Sequence, residues 1–345
     1  MTRRGLAIAM AATALMLTLA APAWAAGKKI GFASREIIAD YNRGIIEGAR
    51  AVIEAAADTM VVVDGQGDPR KHNENIENLV NSHVDGIIIE LGDALQLAPV
   101  VAKAKAAGIP VVTTSIGALT DGALTDVGGD DSLMSELMSR ALLESINYQG
   151  DVYVFSVPGA PILETRKRVL EAMAKGYPNI RLHDMPTEHS VAKVQSQMED
   201  ILTANPDPGS IAAVWGSYTL LVSGAVQAIR QAGRNEIKVG GIDADRVGFQ
   251  MLLDEGGPFI AAGGQNVPLI GKLAGEGIEA ALAGKTDLPK SQMTESYLAV
   301  RGNAVAAAEA SFGKSIWTYL KMDPADVAKK FPQNQPLLMM RAPAP

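Results

Sequence analysis

One stretch of the sequence limits the possible folds more than any other. It runs from Gly86 to Gly117 and reads GIIIELGDALQLAPVVAKAKAAGIPVVTTSIG. The apolar β-branched run 87–89 is typical of a strand that is buried on both faces. Apolar residues then recur at helical spacing until Gly108, and the run 111–114 predicts a second strand. This pattern is a βαβ crossover, so we expect the two strands to be parallel.

The carboxyl ends of these two strands are the expected place for a ligand, because ligands of open parallel sheets bind beyond those ends. Glu90 and Asp93 follow the first strand, and Ser115 and Ile116 follow the second. Strand and helix patterns continue to alternate over residues 29–300. The predicted strands are too many for one compact sheet, so the pattern favours two α/β domains with a cleft between them.

The N-terminus has the features of a secretory signal peptide. Arg3 and Arg4 give it a positive start, residues 6–21 are apolar, and Ala23 and Ala25 are the small residues of a cleavage site. We therefore predict cleavage after Ala25 and export to the periplasm. A membrane anchor is the weaker alternative, because the apolar run is shorter than the ~20 residues of a spanning helix.

The remaining chain of about 320 residues is acidic and has no cysteine. Loss of the two signal-peptide arginines would move the net charge from −7 to about −9. Together with the lack of basic clusters, this charge argues against nucleic acid or anionic lipid as a partner. A chain without cysteine forms no disulfide framework and performs no thiolate chemistry.

The sequence lacks the motifs of the common enzyme classes. It has no G-x-S-x-G, H-E-x-x-H, Walker loop or G-x-G-x-x-G. No two of the four histidines have the sequence spacing of metal ligands; they are His72, His83, His183 and His189. Asp126, Asp130 and Asp131 lack the EF-hand calcium pattern, and a helix capped by Asp131 or Ser132 is the simpler explanation. We predict a protein that is not an enzyme and that needs no metal or cofactor.

Several ordered segments resemble a known family, the periplasmic binding proteins of the ribose-binding type that serve ABC importers of pentoses and hexoses. The resemblance covers residues 28–300 and rests on the segments KKIGFAS, GIIIE with AAGIPVVTTS, VPGAPILETRKRVLEAMAKGYPNIRL, VWGSYTLLVSGAVQAIRQAGR, VGGIDAD and AAGGQN. It implies an α/β fold of two Rossmann-like parallel-sheet lobes joined by a three-strand hinge. The hinge crossings are expected near Gly128, Gly264 and Tyr297.

The resemblance also implies how the chain is divided. The expected parts are a signal peptide (1–25), an N-terminal lobe (28–128 plus 267–296), a C-terminal lobe (129–266 plus 297–310) and a C-terminal extension (311–345). Repeated prolines predict that the extension is extended or disordered apart from a short helix at 315–320.

The implied function is capture of a small hydroxylated ligand, such as a sugar or polyol, in the cleft between the lobes. The loaded protein would deliver the ligand to an ABC permease in the inner membrane. The alternative is a sensory role, in which the loaded protein docks on a membrane sensor kinase or chemoreceptor. A transcriptional repressor shares this core, but the export signal and the lack of a DNA-reading headpiece argue against one.

Three residues match ligand-binding positions of the family. Arg166 follows the P-G-A turn in the predicted first turn of a helix, and a guanidinium offers five donors in a fixed fork. Asp243 matches the carboxylate of the family's G-F-D motif. Gln265 matches the amide at the second hinge crossing. The alternatives are a surface arginine, a helix cap and a turn residue, respectively.

Further candidates lie after the other predicted strands. Tyr41 and Asn42 fall where relatives carry paired aromatics before the first helix, so Tyr41 could stack on a ligand and Asn42 could form hydrogen bonds. Tyr41 could equally be a packed aromatic. Trp215 is expected in the core, whereas Ser217 and Tyr218 are candidates for lining the cleft.

The main departure from the family is at Ser115-Ile116, where pentose and hexose binders usually carry an Asp-Arg or similar pair. A strong anchor for ring hydroxyls is therefore missing. Glu90 could compensate, whereas Asp93 is expected to be a solvated loop charge. The departure favours a smaller or less hydroxylated ligand, such as a polyol, a deoxy-sugar, a furanone-like signal or another small organic molecule.

Overall fold

The structure is a computed structural model and describes residues 27–340. Its strands form two six-stranded sheets. In spatial order, sheet A contains β11 (Ser291–Met293), β5 (Asp126–Gly128), β4 (Val111–Thr114), β3 (Gly86–Glu90), β1 (Lys29–Ser34) and β2 (Thr59–Asp64). Sheet B contains β12 (Ser296–Val300), β10 (Phe259–Gln265), β9 (Lys238–Ile242), β8 (Ala213–Gly216), β6 (Gly150–Ser156) and β7 (Ile180–Pro186).

Helices cover both faces of each sheet. They are α1 (Asp40–Ala55), α2 (Pro69–Asn81), α3 (Ala94–Ala106), α4 (Asp131–Ser145), α5 (Pro161–Ala174), α6 (Val191–Ala204), α7 (Thr219–Gln231), α8 (Arg246–Leu252), α9 (Val267–Leu282), α10 (Ala304–Phe312), α11 (Ser315–Leu320) and α12 (Pro324–Lys330). On sheet A, α1 and α9 pack on one face, and α2 and α3 pack on the other. On sheet B, α4 and α5 lie opposite α6, α7, α8 and α10.

The predicted βαβ unit is β3-α3-β4, and its strands are parallel neighbours in which Ile87 pairs with Val111. Ile87 and Ile89 belong to the apolar cluster beneath α2 and α3, whereas Ile88 belongs to the cluster beneath α1 and α9. All three side chains are fully buried. The prediction of a strand covered on both faces is confirmed.

The chain passes between the sheets three times: after β5, after β10 and between β11 and β12. All strand pairs of both sheets are parallel except β10 with β12. The predicted fold class, two parallel-sheet α/β lobes joined by three crossings, is confirmed. The lobe boundaries given above stay a prediction.

The C-terminal region is more ordered than its prolines suggested. The short helix predicted at 315–320 is confirmed as α11. The prediction that the rest of the extension is extended or disordered was wrong for residues 324–330, which form α12, and α10 precedes both helices and ends at Phe312. The three helices bury Ala304, Ala307, Trp317 and Val327 against the sheet B core. Pro324 begins α12 instead of breaking it, because the first helical position needs no N–H donor.

Several local predictions were also wrong. Asp130, and not Asp131 or Ser132, caps α4. Asp93 is the N-cap of α3 and accepts hydrogen bonds from two backbone N–H groups, so it is not a free loop charge.

Among residues 27–340, no helix combines the length and the apolar character needed to cross a membrane. The predicted signal peptide, its cleavage after Ala25 and the final residues 341–345 lie outside the described residues.

Candidate functional site

The carboxyl ends of both sheets face a common cavity of about 330 Å³. The loops after β1, β2 and β3 line it from sheet A, and those after β6, β7, β8 and β9 line it from sheet B. Parallel strands end at the same edge of a sheet, so these loops converge where a ligand of an α/β fold is expected. The volume falls near the lower end of the roughly 300–1,000 Å³ typical of small-molecule sites.

Arg166 is the centre of the polar part of this cavity, and it is only 1% exposed. Its Nη1 and Nη2 atoms donate to the two carboxylate oxygens of Asp243 at 3.0 and 3.1 Å. Its Nε donates to Asp131 Oδ1 at 2.7 Å, and Nη1 also donates to the carbonyl oxygen of Ser217 at 3.0 Å. Four of the five guanidinium N–H donors are therefore used within the protein.

Local structure explains this arrangement. Arg166 lies in the second turn of α5, and not in the first as predicted, because α5 begins at Pro161. The cap of α8 is Asp245, which accepts from the backbone N–H of Gly248 at 2.6 Å. Asp243 is thus not the helix cap considered above. Its backbone has φ +72°, which aspartate tolerates better than most residues, and its carboxylate meets Arg166.

The Arg166 cluster carries a net charge of −1, because two carboxylates face one guanidinium. Burial disfavours the charged arginine, but the adjacent Asp243 and Asp131 outweigh burial and hold the pKa of Arg166 above its ordinary value. The site therefore has carboxylate acceptors for hydroxyl groups but no free cation at this point for an anion.

Gln265 and Ser217 lie directly behind this cluster. The Gln265 amide Nε2 donates to Asp243 Oδ1 at 3.4 Å, and its Oε1 is buried without a hydrogen-bond partner. A Cβ on Gly129 would lie 1.9 Å from that oxygen, so only glycine leaves room for the amide. The Ser217 hydroxyl is also buried and unpartnered. Neither side chain lines the cavity itself.

The sheet A side contributes Tyr41 and Asn42, which lie in the first turn of α1 and not before the helix as predicted. The Tyr41 hydroxyl donates to Ser115 Oγ at 2.5 Å. The Asn42 amide donates to Glu90 Oε1 at 2.9 Å. Glu90 and Ser115 are buried behind these residues and do not line the cavity.

Of the nine sequence-predicted site residues, the structure brings five to the cavity wall: Tyr41, Asn42, Arg166, Tyr218 and Asp243. The other four, Glu90, Ser115, Ser217 and Gln265, hydrogen-bond to members of that group. Trp215 is fully buried in the core, as predicted. The roles of the nine predicted site residues in ligand binding stay a prediction.

Sequence reasoning missed Asp131 and His189. Asp131, considered only as a possible helix cap or calcium ligand, is an ion-pair partner of Arg166. His189 lines the cavity, and its Nδ1 lies 3.0 Å from the Tyr218 hydroxyl. Burial raises the pKa of Tyr218 and lowers that of His189. A signal for Asp131 was available, since it is an acidic residue just after a predicted crossing between the lobes.

Glu90 is a buried carboxyl beside a hydroxyl group that has two neighbouring oxygen atoms. The Ser34 hydroxyl has one hydrogen and contacts both Glu90 Oε2 and the carbonyl oxygen of Glu36. If that hydrogen goes to the Glu36 carbonyl, a protonated Glu90 satisfies the second contact by donating to Ser34. Consistent with this, burial raises the pKa of Glu90 to about 7.

Glu90→Gln is expected to stabilise the protein at high pH, because the amide reproduces the protonated carboxyl. A raised folded-state pKa means that wild-type stability is full below about pH 4.5 and is lost as the pH rises through about 7. The free energy of unfolding of the variant, measured by urea denaturation, should rise relative to that of wild type by on the order of 2 kcal/mol from about pH 4 to about pH 8. Exposed Glu47→Gln is the control, and an equal difference at both pH values would contradict this assignment.

Comparison with known proteins identifies the family of this chain. Residues 30–286 match the family described as periplasmic binding protein domain, which is most of the chain. The chain belongs to the periplasmic binding protein family. The resemblance inferred from the sequence segments is confirmed, and this family consists of binding proteins and not of enzymes.

Individual relatives are distant but cover much of this binding protein. The ribose import binding protein of Bacillus subtilis is 28% identical, and the match covers 78% of this chain and 88% of that protein. The xylitol-binding protein of Mycolicibacterium smegmatis is 24% identical over 69% of this chain and 68% of that protein. A solved ABC transporter solute-binding protein from Agrobacterium vitis with bound allitol has a TM-score of 0.74 at 24% identity, covering 86% of this chain and 99% of that one. This last likeness shows the fold.

Proposed function

We propose that this protein captures a small, neutral, hydroxylated molecule between its two lobes and delivers it to an ABC importer. The observation that carries this proposal is the cavity between the sheets with the Arg166–Asp243 pair in its wall. The relatives named above bind ribose, xylitol and allitol, which are neutral polyhydroxyl compounds. They are import and solute-binding proteins, so they favour the importer over the sensory partner.

The charge of the site supports a neutral ligand. The Arg166 cluster is net negative, and Asp243 faces the cavity with carboxylate oxygens that can accept from ligand hydroxyls. At the Arg166 cluster, an anionic sugar acid or phosphate would meet Asp243 without gaining a free guanidinium, and the charge of Arg35, which also lines the cavity, is offset by the nearby carboxylates of Asp68 and Glu36. Hydrogen bonds between hydroxyls and charged groups contribute about 1.5–3 kcal/mol each, so one well-placed hydroxyl has a measurable effect on affinity.

The proposal extends to the parts of the chain around the site. We place the mature protein in the periplasm after cleavage behind Ala25, with lobes 28–128 plus 267–296 and 129–266 plus 297–310. The ligand is released chemically unchanged to the permease. The residues that form or support the site in this proposal are Tyr41, Asn42, Glu90, Ser115, Arg166, Ser217, Tyr218, Asp243 and Gln265.

A thermal-shift screen of the mature protein against neutral sugars and polyols and the matching aldonates tests this function. A ligand at 100-fold its Kd is expected to add about 2.7 kcal/mol of stability. Asp243→Asn keeps an acceptor for Arg166 and tolerates the positive φ, and it should weaken binding by about 1.5–3 kcal/mol. Asp200→Asn, at an exposed position on α6, should not. Stabilisation by aldonates alone, or unchanged affinity in Asp243→Asn, would contradict the proposal.

A further inference from the structure

One wall of the cavity is entirely apolar. Residues 157–163, which join β6 to α5, all line the cavity and read VPGAPIL, without a single polar side chain. From the other lobe, three apolar residues face the same space together with polar side chains: Ala39, Pro69 and Leu91, and Arg35, Glu36, Asn42, Asp93 and Gln96. Ile162 reaches across to the opposite lobe, since its Cγ2 atom lies 3.6 Å from the position that a Cβ on Gly117 would occupy.

The polar groups near the Arg166 cluster are largely committed to the protein. Arg166 has one N–H donor left, because the other four bond Asp131, Asp243 and Ser217. The Tyr41 hydroxyl already donates to Ser115, and the Asn42 amide donates to Glu90. A ligand hydroxylated on every carbon would bury some hydroxyls against residues 157–163 with no side-chain partner. Each buried hydroxyl without a partner loses its hydrogen bonds to water.

We propose that the ligand is a neutral sugar or polyol that carries a short apolar substituent, of the alkyl or alkylthio class. The hydroxylated end meets Asp243 and Arg166, and the apolar end contacts the wall formed by residues 157–163. Ile162 is the specificity-determining residue of this wall, because it is the largest side chain of the segment that spans the cleft. This inference rests on the proposed function and narrows its ligand class.

The expected preference for a ligand with an apolar substituent follows from the apolar surface area that binding removes from water. Each buried methylene-sized group contributes about a fourfold gain in affinity, so a methylthio or ethyl substituent should give roughly tenfold or more. A site built for a fully hydroxylated sugar would show the opposite order, since a missing hydroxyl leaves a protein partner unpaired.

The experiment is calorimetric titration of the mature protein with D-ribose and with its 5-deoxy-5-methylthio derivative. Wild type is expected to bind the methylthio compound at least about tenfold more tightly. Ile162→Ser should reduce this ratio to about threefold or less, because it removes apolar area that the methylthio group contacts. Leu338→Ser, at a position that is 60% exposed and outside the cavity, is the matched control.

Each outcome bears on a different claim. Equal or tighter binding of ribose would overturn the inference and leave the proposed function standing. A methylthio preference that persists in Ile162→Ser would overturn the assignment to this wall. Binding of neither compound, with no neutral sugar active in the thermal-shift screen, would overturn the proposed function itself. If Ile162→Ser does not fold, Ile162→Thr keeps the branched shape and gives the same comparison.

Discussion

Arg166→Ala is expected to lower the free energy of unfolding by about 3–5 kcal/mol and to abolish stabilisation by the ligand. The Arg166 side chain is 2% exposed, and those of Asp131 and Asp243 are 15% and 14% exposed. Removing the guanidinium leaves two largely buried carboxylates next to each other without a cation. The cost should decrease at low pH, because protonation of the carboxylates removes their repulsion. Urea denaturation at neutral and acidic pH measures both effects.

Arg168 provides the matched control on the same helix. Its side chain is 64% exposed and makes only a 4.0 Å contact with Glu164 and a hydrogen bond to Thr165. Exposed ion pairs contribute little, so Arg168→Ala should change stability by less than about 0.5 kcal/mol. A loss in Arg166→Ala no larger than in Arg168→Ala would show that the buried cluster does not hold the C-terminal lobe together.

Gly271→Ala is the second substitution with a large expected effect, a loss of about 3 kcal/mol in the free energy of unfolding. Helices α1 and α9 are in backbone contact, and a Cβ on Gly271 would lie 2.0 Å from the carbonyl oxygen of Ile45. On the facing helix, a Cβ on Gly48 would lie 2.2 Å from the carbonyl oxygen of Pro268. Backbone atoms cannot rotate away, so the added methyl group must push the helices apart.

Gly277, on the same helix, has room for a methyl group. A Cβ on Gly277 would have Val112 Cγ2 as its nearest neighbour at 3.6 Å, an ordinary van der Waals distance. Gly277→Ala should therefore stabilise the protein by up to about 1 kcal/mol, through the higher helix propensity of alanine. Thermal or urea unfolding of the two variants measures the contrast. Equal effects would contradict the close approach of α1 and α9.

The sequence predicted the fold well because the fold depends on periodic apolar patterns. The run Ile87–Ile89 is buried on both faces, and such a run has few alternatives in an alternating βα chain. Prediction failed where the outcome depends on tertiary packing. Residues 324–330 form α12, which is stable because it buries Val327 against the sheet B core, whereas the prolines around it suggested an extended or disordered tail.

The site was predictable in its positions but not in its connections. The segments that resemble the family placed Arg166 and Asp243 at the site. The structure joins their side chains in a bidentate ion pair. Asp131 could not be paired with Arg166 from the sequence, because no spacing rule joins the start of α4 to α5. The hydrogen bond from Asn42 to Glu90 likewise depends on a tertiary contact between α1 and the end of β3, which the sequence does not show.

A crystal structure of the mature protein with the tightest neutral ligand from the screen tests the central claim most directly. We expect density for the ligand between the lobes, with a hydroxyl within hydrogen-bond distance of Asp243 and carbon atoms against residues 157–163. Density elsewhere would contradict this claim. The clearest such case is the groove at the amino ends of β6, β8 and β9, lined by Asn147, Arg181 and Lys238, with the cavity at Arg166 empty.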